Sequence, residues 1–156
     1  QVVATDHCPF CMDEPPQKQA GKDDFSKIPG GAPGIETRLT LVWDGGVRTR
    51  RIDPHRFVEI VSANPARMFG LWPRNGTVAV GSDGDLVLLD PERETTQVAY
   101  SHHMQLDYNP YEGRVVRGSP AVVLSRGEVL VDHGRLLGQK GRGQYVKRQA
   151  GFPMVV

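Results

Sequence analysis

The sequence predicts an α/β protein, and three features of its 156 residues carry that prediction. A short apolar segment at residues 1–5 has the composition of a buried strand. Two helices with clear N-terminal signals follow in the first half of the chain. After Gly76 the apolar residues occur in short β-type runs that turn residues separate, so a strand-rich second unit is expected.

Composition narrows the class of protein. Charged residues make up 24% and hydrophobic residues 38%, which favours a packed core over a disordered chain. A net charge of +1 argues against a dedicated nucleic-acid surface. The absence of an apolar run of roughly 20 residues argues against a membrane span, and no signal-peptide pattern is visible, so we expect a soluble cytoplasmic protein. Because the chain begins at Gln1 and its first Met is Met12, we also expect a fragment or a processed product.

The first segment ends abruptly at a polar pair, Asp6-His7. A buried strand of a parallel sheet has this pattern, and the carboxyl ends of such strands hold the active site in α/β barrels. A strand at the edge of a surface sheet is an equally good interpretation. A carboxylate at such a strand end can ligate a metal and shuttle a proton, although an Asp after a strand is more often a cap or a turn residue.

A long loop rich in Pro, Gly and charge spans residues 8–34, and loops of this length are usually functional or disordered. Residues 36–43 resume an apolar pattern that predicts a helix, with Asp44-Gly45-Gly46 as its end. Two further helices are predicted by a cap residue followed by proline, at Asp53-Pro54 and at Asn64-Pro65. Gly70 can end the second of them in the left-handed conformation.

Short strands are predicted in the second half of the chain. They cover residues 77–80, 86–89, 115–116, 121–124 and 129–131, and the turn signals between them include Gly118-Ser119-Pro120. These strands are too few to close a sandwich on their own. Residues 138–156 are basic and glycine-rich, which is typical of a mobile or subunit-docked tail.

Two further clusters could carry chemistry. Cys8-Pro9-Phe10-Cys11 has the spacing of a redox dithiol or of half a zinc site. Nearby carboxylates would raise a thiol pKa and the chain has no other cysteine, so incidental loop cysteines are the better interpretation. His102 and His103 are adjacent and would face opposite ways on a strand, which favours a surface pair over two ligands of one ion.

Several stretches together resemble the carboxyl-terminal third of the dihydropyrimidinase/D-hydantoinase family of cyclic amidohydrolases. They are TDHCPF at 5–10, DFSKIPGG at 24–31, GIETR at 34–38, SANPAR at 62–67, GTVAVGSDGDLV at 76–87, YNPYEG at 108–113 and SRGEV at 125–129. The resemblance implies a partial (β/α)8 TIM barrel, comprising its last strand and helices, and a partial carboxyl-terminal β-sandwich. The barrel end would cover residues 1–75, the sandwich portion 76–137 and a flexible or interface tail 138–156.

The resemblance also implies a function and a site. Asp6 matches an aspartate that ligates a binuclear zinc centre and shuttles the proton during hydrolysis of a small cyclic amide, and Gly30 lies where the family binds the substrate ring through its main chain. The other metal ligands of the family, its histidines and a carboxylated lysine, would lie upstream of Gln1. The resemblance therefore implies that the chain alone is inactive, and that the parent protein forms a homotetramer.

Three alternatives stay open. Dihydroorotases and allantoinases also have an Asp-His at a strand end, but their following loops differ from Lys27-Ile28-Pro29, which favours dihydropyrimidine or hydantoin rings. A non-catalytic scaffold related to dihydropyrimidinase would act by protein assembly, and Asp6 at the ligand position favours the enzyme over it. The third alternative is a thiol redox protein that uses Cys8 and Cys11.

Overall fold

The computed structural model describes residues 1–150, so the last six residues of the predicted tail lie outside the described part. The α-helices are α1 (Arg38–Val42), α2 (Pro54–Val58) and α3 (Asn64–Met68). Two π-helical segments, Trp43–Arg48 and Glu59–Ala63, continue α1 and join α2 to α3. Three 3-10 turns lie at Lys18–Gly21, Phe25–Lys27 and Ala99–Ser101.

The first segment differs from the predicted buried strand. Residues 1–5 pair with no strand of the described chain, because a strand needs a neighbour and none lies beside them here. The backbone groups of this segment instead form hydrogen bonds with residues of the helical regions. The Val3 N–H donates to the Ile60 carbonyl at 3.1 Å, Arg38 Nη1 donates to the Val3 carbonyl at 3.2 Å, and Asn64 Nδ2 donates to the Gln1 carbonyl at 2.9 Å.

The helix predicted from residue 36 begins at Arg38 and does not end at Asp44-Gly45-Gly46. It continues to Arg48 because Asp44 is buried and has partners there. The Asp44 carboxylate accepts from Arg48 Nε at 2.8 Å and from the Arg117 backbone N–H at 3.2 Å. Burial would raise the pKa of Asp44, but these hydrogen bonds lower it below its ordinary value. Asp44 thus joins the helical half to the sheet.

The second helical region is one continuous stretch from Pro54 to Met68. Its predicted start is confirmed, since the Asp53 side chain accepts from the Arg56 N–H at 2.7 Å. The predicted cap at Asn64 is wrong, because Asn64 has helical backbone angles and its side chain binds the Gln1 carbonyl. Gly70 ends the region with a φ of 70°, as predicted.

The sheet has four antiparallel strands in the order β1-β2-β3-β4. Their bounds are Leu86–Thr96, Val115–Ser125, Glu128–Asp132 and Arg135–Leu136. Leu86 pairs with Leu124, and Val122 pairs with Asp132.

The strand predictions are wrong at two places. Residues 77–80 form no strand, and Val78 and Val80 are 84% and 109% exposed, because no described strand lies beside them. Gly118-Ser119-Pro120 does not break the chain into two strands but lies inside β2. A register shift places Leu88 opposite Val122 and Leu89 opposite Pro120, so the proline occupies a bulge, where a missing N–H costs little.

A small core joins the helices to the sheet. The rings of Trp43 and Phe57 meet edge to face with centroids 5.2 Å apart. Gly118 has a φ of 94°, and a Cβ there would lie 2.0 Å from Trp43 Cδ1, so only glycine lets the indole lie against β2. The buried hydrophobic residues of the described chain are Phe57, Ala63, Ala66 and Val116. Within residues 1–150, no helix is long and apolar enough to cross a membrane.

We expect Gly118→Ala to destabilise the protein more than Gly127→Ala. Both positions have positive φ, at 94° and 78°, but a Cβ at residue 127 has nothing within 4 Å. The control therefore measures the backbone strain alone, and overlap with Trp43 should add about 1–3 kcal/mol at residue 118. Denaturant unfolding of the full-length protein checks the difference. Equal losses in the two variants would mean that Trp43 does not rest on Gly118.

Candidate functional site at the end of the first segment

Asp6 lies where the first segment meets the long loop. Its backbone has a φ of 46°, a left-handed conformation that is uncommon for a non-glycine residue and turns the chain at this point. The residue is exposed, and its carboxylate has no hydrogen bond or ion pair among residues 1–150. Asp6 is therefore neither a helix cap nor a turn-stabilising acid, and its oxygen atoms are available to an external group.

The loop at residues 28–34, which we call the Ile-Pro loop, lies directly beside residues 7 and 8. His7 and Ala32 form a parallel bridge, and the Cys8 N–H donates to the Ala32 carbonyl at 3.3 Å. The Gly34 N–H donates to His7 Nδ1 at 3.2 Å. Gly31 has a φ of 143°, and a Cβ there would lie 2.1 Å from the Cys8 carbonyl oxygen. The contact therefore requires glycine at this position.

Gly30 lies on the exposed side of the Ile-Pro loop. A Cβ at this residue would have nothing within 4 Å. Neither its N–H nor its carbonyl has a hydrogen-bond partner among the described residues. The two carbonyls next to Gly30 do have one, since Lys18 Nζ donates to Pro29 at 3.3 Å and to Gly31 at 2.8 Å. Gly30 thus offers one free donor and one free acceptor to a ligand.

A carboxylate from the second half of the chain holds the start of the long loop. Asp107 accepts from the backbone N–H groups of Met12, Asp13 and Glu14 at 2.8, 2.5 and 3.0 Å. These hydrogen bonds lower the pKa of Asp107 to about 2, from an ordinary value of 3.8. Asp107 therefore stays ionised at any pH near neutrality and holds this arm of the loop.

Glu36, which follows the Ile-Pro loop in the sequence, makes a second such connection to the second half of the chain. Its carboxylate accepts from the His103 N–H and contacts His103 Nδ1, both at 2.8 Å. Burial would raise the pKa of Glu36, but the hydrogen bonds from His103 lower it below the ordinary value. His102 Nδ1 lies 3.7 Å from the same carboxylate, and His102 Nε2 lies 3.0 Å from Asn109 Nδ2.

The histidine pair differs from the predicted pair of surface residues that face opposite ways. His102 and His103 do not lie on a strand, and both approach the Glu36 carboxylate. Only His103 is a surface residue, with 86% of its side chain exposed, whereas the His102 side chain is 11% exposed. The premise that adjacent histidines face opposite ways fails because the chain turns here.

The described residues do not make a complete metal site. No group of three or more His, Cys, Asp or Glu side chains within residues 1–150 could hold an ion. Asp6 contributes one carboxylate, and His7 Nδ1 is already occupied by the Gly34 N–H. Cys8 and Cys11 are free thiols, the first exposed and the second half-buried. One carboxylate does not fit a binuclear centre, because each ion needs several protein ligands.

Three residues with a part in this geometry were missed by sequence reasoning: Lys18, Glu36 and Asp107. Lys18 lies 11 residues from Pro29, and Asp107 lies 93 to 95 residues from the N–H groups that it binds. No local pattern signals such contacts. Glu36 lies within the GIETR stretch that carried the family resemblance, and Asp107 directly precedes the YNPYEG stretch, so the resemblance was the available signal.

The chain is similar to proteins of known class over nearly its whole length. The amidohydrolase family model matches residues 1–130. The chain is 47% identical to a D-phenylhydantoinase of Escherichia coli O81, covering 99% of this chain and 33% of that protein. Its fold matches a D-hydantoinase from Bacillus sp. AR9 with a TM-score of 0.92 at 48% identity, and a dihydropyrimidinase from Brevibacillus agri NCHU1002 with 0.93 at 45%. Each match covers 99% of this chain and 33% of the relative.

The fold and the sequence thus define the class, and the chain belongs to the amidohydrolase family. Within that family its similarity is to hydantoinases and dihydropyrimidinases, as the motifs of the sequence predict. The chain spans about a third of the length of the relatives that it matches.

We expect Asp107→Asn to release the start of the long loop. The amide oxygen accepts more weakly than a carboxylate and its NH2 group repels a third N–H donor. Amide hydrogen exchange at residues 12–14 should therefore accelerate. Asp90→Asn is the control, because Asp90 binds only the nearby N–H groups of Glu92 and Arg93. Unchanged exchange at residues 12–14 would contradict the role of Asp107.

The pH dependence of this connection follows from the pKa of about 2. The folded-state pKa of Asp107 lies below its ordinary value of 3.8, which also applies to the unfolded chain. Its contribution to stability is therefore complete above about pH 4 and is lost as the pH falls through 2. A carboxyl titration by NMR should give a midpoint near 2 for Asp107.

Proposed function

We propose that this chain is the carboxyl-terminal part of a metal-dependent cyclic amidohydrolase that opens hydantoin or dihydropyrimidine rings by hydrolysis. One observation carries the proposal: a free carboxylate, Asp6, lies at the end of the first segment, beside a loop whose Gly30 main chain is also free. The names of the relatives give the substrate class. A D-phenylhydantoinase and a dihydropyrimidinase are both among the matches.

The proposed chemistry uses these two groups. Hydrolysis breaks the C–N bond of a cyclic amide, so the attacking water must lose a proton and the ring nitrogen must gain one. Asp6 can accept the first proton and return it to the leaving nitrogen. A cyclic imide presents alternating N–H and C=O groups, and the free carbonyl and N–H of Gly30 are complementary to such an edge.

The proposal includes a metal centre, for which this chain alone supplies only part of the ligands. Asp6 would supply one ligand to a binuclear zinc site, and all other ligands would come from outside these 156 residues. We also propose, on the family resemblance alone, a cytoplasmic homotetramer.

The exposed surface supports a chain that is covered by further protein. A compact monomer of 17.2 kDa exposes roughly 7,800 Å², whereas this chain exposes 10797 Å². Large apolar side chains contribute to the excess, among them Phe25, which is 85% exposed. One end of a barrel would leave its apolar faces open in this way.

The relatives favour this function over the alternatives from the sequence. The relatives are named as hydantoinases or as a dihydropyrimidinase. These names favour hydantoin or dihydropyrimidine rings over dihydroorotate and allantoin as substrates. Assays of the full-length protein on hydantoin, dihydrouracil, dihydroorotate and allantoin separate the enzymes from each other. A metal-free full-length protein that opens none of these rings would instead support the scaffold alternative.

We expect Asp6→Asn to abolish most of the activity of the full-length protein. The amide cannot accept the proton, so kcat should fall by about three orders of magnitude on hydantoin or dihydrouracil. Asp23→Asn is the matched control, since Asp23 is exposed in the same long loop and has no resolved contact. Activity of the Asp6→Asn variant within a few-fold of the parent would rule out the proposed role.

The isolated 156-residue chain should be inactive and should bind zinc poorly, because Asp6 is the single ligand it offers to the proposed centre. Metal analysis after dialysis, together with a ring-opening assay on hydantoin and dihydrouracil, tests this expectation. Stoichiometric zinc and measurable turnover in the isolated chain would contradict it.

A further inference from the structure

We propose that Lys18 is a positioning residue that orients the main chain of Gly30 toward the substrate ring. The inference rests on the proposed function and goes beyond it, since it assigns a role to a residue outside the proposed reacting groups. Lys18 Nζ lies 3.3 Å from the Pro29 carbonyl oxygen and 2.8 Å from that of Gly31. One ammonium group therefore holds the carbonyls on both sides of Gly30.

The two contacts fix the direction of the peptide groups that carry these carbonyls. A planar trans peptide group points its C=O and its N–H in opposite directions. With the Pro29 carbonyl directed at Lys18, the Gly30 N–H faces away from Lys18. Gly30 is the residue whose N–H and carbonyl have no partner within residues 1–150.

Most of the hydrogen-bonding capacity of the Lys18 ammonium is used by these two carbonyls. It has three N–H donors, of which two serve the carbonyls. It also lies 5.9 Å from the centroid of the Phe10 ring, within the range of a cation–π contact. No carboxylate of the described chain pairs with Lys18. Lys18 therefore acts through the Ile-Pro loop and not by contact with a substrate.

The backbone of Lys18 is held in place from two sides. Its own N–H donates to the Cys11 carbonyl at 3.1 Å, which ties it to the segment that follows Asp6. It begins a 3-10 turn, Lys18–Gly21, that packs on the start of the Ile-Pro loop. A Cβ at Gly21 would lie 2.0 Å from Ile28 Cγ1, so the turn and the loop are in direct contact. A lysine on a free loop could not align two carbonyls in this way.

The test is Lys18→Met in the full-length protein, because Met keeps most of the side-chain length and removes the ammonium. Loss of a charged hydrogen-bond donor should loosen Gly30 and raise KM for hydantoin or dihydrouracil about tenfold. The expected change in kcat is less than about twofold, since the reacting groups remain. Lys18→Arg should recover most of the affinity, because guanidinium can also donate to two carbonyls. Lys22→Met is the control, an exposed lysine four residues away.

A second measurement, amide hydrogen exchange, tests the inference without any substrate. In Lys18→Met, amide hydrogen exchange should accelerate within residues 28–34 and not within β1. Unchanged KM with unchanged exchange in the loop would overturn the inference, and so would a loss confined to kcat. A parent protein that opens none of the cyclic amides would refute the proposed function instead, and the exchange measurement alone would then decide whether Lys18 orders the loop.

Discussion

The close approach of the Ile-Pro loop to the segment after Asp6 is the contact on which the candidate site depends. The Cys8 carbonyl occupies the place where a side chain of residue 31 would begin, and the neighbouring His7 and Ala32 form a bridge. Any residue larger than glycine at position 31 would push the Ile-Pro loop away from Cys8. The close contact between the two segments thus depends on one backbone position that has no Cβ.

Carboxylates that accept backbone N–H groups from distant parts of the chain hold this arrangement together. Asp44 binds the N–H of Arg117 in the sheet, Glu36 binds that of His103, and Asp107 binds three N–H groups of the long loop. The apolar core between the two halves is small, and these charge-assisted hydrogen bonds add further connections between the segments.

Features with a local cause were predictable from the sequence, and features that need a distant partner were not. Asp53 caps its helix and Gly70 ends it, because both act within one turn of backbone. Residues 77–80 have strand composition but no neighbouring strand within residues 1–150, so composition alone misleads. The role of Asp6 was predicted from the family resemblance and stays a prediction, whereas the contacts of Lys18 and Asp107 join segments whose spacing carries no signal.

The most direct test of the account is a crystal structure of the full-length protein with a bound cyclic imide, with anomalous diffraction recorded at the zinc edge. The account places a carboxylate oxygen of Asp6 about 2.0–2.2 Å from a zinc ion, with the ring against the N–H and carbonyl of Gly30. Zinc held without Asp6, or a ring bound away from the Ile-Pro loop, would contradict it.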